Sequence, residues 1–121
     1  MAEEKNWIEI MDESELTGAD PGEIIAFEVE TDEGDELSIA MVRLPEDPEL
    51  PGGWVAFENV CPHDGGALDD GTTELKDCAI QCARHGARFD MKSGKVLSMP
   101  AARDLDTYPL KFDSGKVYLQ A

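Results

Sequence analysis

Apolar residues return at every second position along short stretches of this chain, and no stretch sustains a 3.6-residue period. Ile25, Phe27 and Val29 fall on one face of one run, and Leu37, Ile39 and Met41 on one face of the next. The pattern predicts strands at 7–11, 23–30, 36–43, 54–58, 78–81, 87–90, 95–98, 110–112 and 116–120, with one helical turn at 12–16. Asp32-Glu33-Gly34-Asp35, Lys92-Ser93-Gly94 and Asp113-Ser114-Gly115 each place a Gly where a tight hairpin needs positive φ. Pro45, Pro48, Pro51 and Gly52-Gly53 mark 44–53 as a longer connector. The expectation is an all-β sandwich or barrel, without repeats.

At 121 residues the chain has room for one domain with a real core. A formal charge of −17 excludes a nucleic-acid or membrane-surface binder, whose affinity comes from basic contacts to phosphates. No apolar run approaches the roughly 18 residues of a membrane helix, and Met1-Ala2-Glu3-Glu4-Lys5 has the wrong charge for a secretory signal. The expected location is the cytoplasm, and the expected state a monomer. Residues 1–60 hold 18 acidic and 2 basic side chains, against 9 and 8 in residues 61–121. The acid is therefore expected away from the second half, either for solubility and salt adaptation or to steer a basic partner.

Chemistry concentrates in that second half. Cys61-Pro62-His63 and Cys82-Ala83-Arg84-His85 each offer one thiolate and one imidazole from a short loop. Pro62 stiffens the first loop, and Gly65-Gly66 and Gly86 let backbone bend around a cofactor. Two thiolates and two imidazoles suit a Rieske 2Fe-2S centre, and they also suit tetrahedral zinc. Zinc fingers usually pair Cys with Cys and His with His, whereas here each loop carries one of each. The third thiol, Cys78, shares strand parity with Ile80 and reads as a small packed hydrophobe, with a backup ligand as the alternative. Trp7, Trp54, Tyr108 and Tyr118 read as core or partly buried packing rather than electron relays, and Asp64, Asp69 and Asp70 as turn formers.

The run CPHDGGALDDG from Cys61, followed by CARHGARFD from Cys82, resembles the signature of Rieske-type ferredoxins, the carriers of bacterial ring-hydroxylating oxygenase systems. The resemblance extends from about Glu23 to Leu119 and implies a single Rieske domain over 1–121. That domain would be an antiparallel β-sandwich with a small cluster-binding subdomain. Its loops would fall at about 60–70 and 82–88, with a proline loop at about 99–102 built on Met99-Pro100-Ala101. It further implies that Cys61 and Cys82 hold a buried iron and His63 and His85 an outer one.

Against respiratory Rieske proteins, this chain has Gly66 and Arg84 where those carry a loop disulfide, and Ala87 and Phe89 where they carry hydroxyls. Fewer hydrogen bonds to the sulfurs lower the potential, so a value near the low end of the Rieske range, about −150 mV, is expected. Arg84 is either a surface cation or a group that favours the reduced cluster and meets a partner's carboxylate. The function implied is a non-catalytic carrier that passes single electrons from a flavin-type reductase to a terminal oxygenase or similar enzyme. The alternatives are a small Rieske-like subunit of an assimilatory nitrite reductase and a zinc-stabilised interaction module.

Overall fold

The computed structural model of the chain describes residues 7–31, 33–44, 50–61, 66–69, 71–82, 86–98 and 104–121. Among them run eleven strands: β1 (Trp7–Asp12), β2 (Ile24–Glu30), β3 (Glu36–Arg43), β4 (Trp54–Glu58), β5 (Thr72–Glu74), β6 (Ala79–Gln81), β7 (Arg88–Asp90), β8 (Val96–Ser98), β9 (Thr107–Tyr108), β10 (Leu110–Asp113) and β11 (Lys116–Gln120). The expected turn after β1 is a short 3₁₀ helix, Glu13–Leu16, and a second covers Pro51–Gly53. Every strand pair is antiparallel.

Three sheets result, ordered β1-β11-β10, β2-β3-β4-β9 and β5-β6-β7-β8. The four-stranded sheet built on β3 and β4 is the middle layer, because its residues feed two cores alternately. Ala40, Val42, Val55 and Phe57 pack with Ile80, Phe89 and Met91 of the third sheet. Ile39, Met41, Trp54 and Ala56 pack with Leu110, Val117 and Leu119 of the first. Burial on both faces explains why β3 reads as a nearly continuous apolar run from Ile39 to Val42. The alternation of Ile25, Phe27, Val29, Leu37, Ile39 and Met41 is confirmed, since all six belong to the second core.

Two strands went unpredicted. β5 is short and polar, and β9 has two residues held by pairing with β4 through Ala56↔Tyr108 and Phe57↔Thr107. β4 and β9 are thus neighbours, and residues 59–106 leave the middle sheet from one and return to it at the other. Gly94 closes this excursion: at φ +80° its N–H donates to Asp90, its carbonyl accepts from the Leu105 N–H (2.7 Å), and a Cβ there would lie 2.0 Å from the Leu105 carbonyl oxygen.

Three expectations need correction. Cys78 is not in a strand: its φ is +55° and it ends the turn that precedes β6, so parity with Ile80 does not apply, although it does pack at the edge of the first core. Trp7 is not packed in the core: 39% exposed, it shares the outer face with Glu9, and the Lys111 ammonium lies 4.8 Å from its ring centroid. Trp54 is buried as expected, and Tyr108 and Tyr118 are half-buried. Finally, the acid is not remote from the ligand half. The β2–β3 hairpin carries Glu28, Glu30, Glu33, Asp35 and Glu36, and the Ser38 carbonyl within it accepts from the Asn59 N–H (2.8 Å), two residues before Cys61. Antiparallel pairing of β3 with β4 folds one half of the sequence back onto the start of the other.

Candidate metal centre

The first loop leaves the end of β4 through Asn59 and Val60. Cys61 follows, fully buried, and its N–H donates to the Gly66 carbonyl (2.7 Å). The chain then turns at Leu68, where the Gly71 N–H donates back to the Leu68 carbonyl (2.9 Å) with Asp69 at the bend, the turn-forming role expected of that residue. Pro62, His63, Asp64, Gly65 and Asp70 lie outside the described residues.

The second loop joins β6 to β7. The ladder runs through Gln81↔Arg88, and immediately inside it the Cys82 N–H donates to the Ala87 carbonyl (2.8 Å). Gly86, at φ +75°, donates to the Cys82 carbonyl (3.1 Å), a conformation that favours Gly at this position. Ala83, Arg84 and His85 lie outside the described residues, as do Met99, Pro100 and Ala101 of the expected proline loop.

The two loops share a neck. Each cysteine donates its backbone N–H to the carbonyl five residues on, Cys61 to Gly66 and Cys82 to Ala87. Both thiols are buried, at 0% and 1% exposure, in one apolar cluster with Leu68, Ile80, Ala87, Phe89 and Leu105. No disulfide engages them. Two thiolates in such surroundings are costly unless a cation compensates them, and soft sulfur donors select iron–sulfur clusters or zinc. Among the described residues no group of three or more His, Cys, Asp or Glu side chains could hold a metal ion, so Cys61 and Cys82 are the described part of the expected set.

A family model of the Rieske [2Fe-2S] domain matches residues 6–109. The chain belongs to the Rieske family. Its cofactor is accordingly one Rieske-type 2Fe-2S cluster, which removes the zinc alternative. The chain is 30% identical over 116 residues to the ferredoxin component of the naphthalene 1,2-dioxygenase/salicylate 5-hydroxylase systems of a Ralstonia species, covering 96% of each chain. The ferredoxin of carbazole 1,9a-dioxygenase from Nocardioides aromaticivorans IC177 superposes with a TM-score of 0.72 at 25% identity, covering 94% of this chain and 96% of that one. This Rieske protein is an electron carrier rather than a catalyst. A Mycobacterium tuberculosis protein described as a putative NADH-dependent nitrite reductase small subunit shares the fold, with a TM-score of 0.72 at 20% identity over 98% of this chain and 97% of that one.

Two features adjoin the second loop of this Rieske centre. Ala87 and Phe89, read from the sequence as standing where hydroxyls could be, are fully buried and apolar. Beside the second loop, Arg88 makes a two-pronged bond to Glu74 across β6, Nε to Oε2 at 3.0 Å and Nη2 to Oε1 at 2.7 Å, with Asp77 at 3.4 Å. That hydrogen bonding holds the Glu74 carboxyl below the ordinary glutamate range and the Arg88 guanidinium above its own. Sequence reasoning missed Asn59, the buried polar residue at the first loop, and Asp104, whose Oδ1 accepts from the Val96 N–H (3.0 Å). Their partners lie eight to ten residues away, beyond any local turn motif.

Proposed function

We propose that the chain, as one domain over 1–121, is a monomeric cytoplasmic electron carrier that takes single electrons from a flavin-dependent reductase and delivers them to a terminal oxygenase or reductase. Cys61, His63, Cys82 and His85 would hold the cluster. When bound, it supplies one-electron chemistry at a potential above that of all-cysteine clusters. Leu68, Ile80, Phe89 and Leu105 keep water from the two thiols. The observation that carries this reading is the pair of matched necks, which present two buried thiols from adjoining loops. The oxygenase as acceptor is supported by the Ralstonia relative, a component of dioxygenase systems. A cytoplasmic location is consistent with the absence, among the described residues, of a helix long and apolar enough to cross a membrane. The nitrite reductase reading is supported at the level of fold alone.

The test is spectroscopic. Purified protein should be red-brown, bleach with dithionite and give the EPR signal of a mixed nitrogen and sulfur 2Fe-2S cluster. Cys61→Ala, His63→Ala, Cys82→Ala and His85→Ala should each abolish that signal. Any one of them that retains it overturns the ligand set, and turnover of a purified terminal oxygenase that does not depend on the carrier overturns the role.

A further inference from the structure

The two loops have the same inner neck but different outer support. Loop two is an insertion at the tip of one hairpin, so the β6–β7 ladder, with Gln81 opposite Arg88, holds both of its stems. Loop one has no such ladder. Its incoming stem is β4 of the middle sheet, and its outgoing stem leads to β5 of a different sheet, whose partner is β6. Nothing in strand pairing fixes the distance between them.

Asn59 occupies that gap. It is 7% exposed, the one buried polar or charged residue among those described. Its Oδ1 accepts from the Leu68 N–H (2.8 Å) and the Asp69 N–H (2.9 Å), while its own N–H donates to Ser38 on β3 (2.8 Å). With two donors converging, the atom at that place is the carbonyl oxygen; an NH₂ group there would face both of them. The side chain therefore ties the exit of loop one to the end of β4, directly outside the Cys61–Gly66 neck.

We propose that Asn59 is a positioning residue for the cluster: its side-chain carbonyl does for the Cys61–His63 loop what the β6–β7 ladder does for the Cys82–His85 loop. The proposal rests on the ligand set given above. Groups behind metal ligands typically change metal affinity tenfold or more when removed. Asn59 would act through the loop stems it ties together, its bonds running to Leu68, Asp69 and Ser38 and not to the described ligands Cys61 and Cys82.

The experiment compares holoprotein variants Asn59→Ala, Asn59→Asp and Leu119→Ala. Leu119 lies in the other core, so its truncation lowers global stability without addressing either loop. Three quantities are read: thermal midpoint, EPR line width of the reduced cluster, and the rate of iron release to a chelator. Asn59→Ala should release iron about tenfold faster and broaden the EPR lines, because Cys61 and His63 then sample a wider set of geometries. Asn59→Asp keeps an oxygen for both N–H donors and should restore wild-type release and line width. Leu119→Ala should lower the midpoint while leaving line width and release unchanged.

Equal acceleration by Asn59→Ala and Leu119→Ala would reduce Asn59 to ordinary stability and overturn the proposal. So would wild-type line width and release in Asn59→Ala, or failure of Asn59→Asp to rescue. Loss of the ligand reading is seen separately, as retention of the signal by Cys61→Ala or His63→Ala.

Discussion

Cys78 holds a φ of +55° that L residues adopt at a cost, at the rim of the apolar cluster that contains Cys61 and Cys82. Its carbonyl accepts from the Met91 N–H (2.8 Å), so the strained backbone is tied to the far end of β7. A β-branched side chain suits that conformation less well still. Cys78→Val should therefore destabilise by on the order of 1 kcal/mol in chemical denaturation. Cys78→Ala should leave the visible cluster spectrum intact, whereas loss of the chromophore would mean that the third thiol is a ligand. At the buried Ala87, a hydroxyl would bring a donor toward the cluster sulfurs, so Ala87→Ser should raise the reduction potential in a mediated titration. An unchanged or lower potential would break the link drawn between the missing hydroxyls and a low-potential centre.

At the scale of elements, the Arg88–Glu74 fork staples β7 to β5 diagonally across β6, where Gln81 is paired with Arg88 and Ala79 with Glu74. Because the folded state holds the Glu74 carboxyl below its ordinary range, the bond's stabilisation is present above the unfolded pKa and lost as pH falls through the folded one. Thermal midpoints followed downward from about pH 5 should therefore fall more steeply for wild type than for Glu74→Gln, with the difference shrinking in salt. Parallel curves would show the fork to be energetically silent.

Legibility divides along the same line. β2 and β3 could be read from sequence because alternate burial imposes a period of two. The two buried thiols, Cys61 and Cys82, could be singled out because each stands close to a His in its loop. β5 and β9 could not, since their three and two residues are strands only by virtue of partners elsewhere in the chain. Asn59 and the turn at Cys78 were invisible for a related reason: a side-chain bond spanning nine residues and a positive φ at a non-Gly residue leave no local pattern.

Across the whole molecule, the charge map drawn from the sequence halves does not survive folding. The carboxylates of the β2–β3 hairpin stand at the same end of the middle sheet as the first loop, joined to it by the Ser38–Asn59 bond. Glu28 and Glu36 crowd there enough that hydrogen bonding between them, followed by their mutual repulsion, raises the Glu36 carboxyl above its ordinary range. An acidic rim beside the loop favours a basic partner. Electron transfer to such a partner should slow as ionic strength rises from 10 to 500 mM, and a rate indifferent to salt would leave the acid with solubility as its role.

Residues 59–106 leave the middle sheet at one strand and rejoin it at the adjacent one, so both cysteine loops belong to a single excursion from that sheet. Yet Ala40, Val42, Val55 and Phe57 are covered by what the excursion brings back. Losing iron would then be more than losing an electron: it would loosen the cover over an apolar patch in an otherwise highly charged surface. Such an apo chain would be expected to self-associate, and cluster insertion would then be the step that keeps it a well-behaved solute.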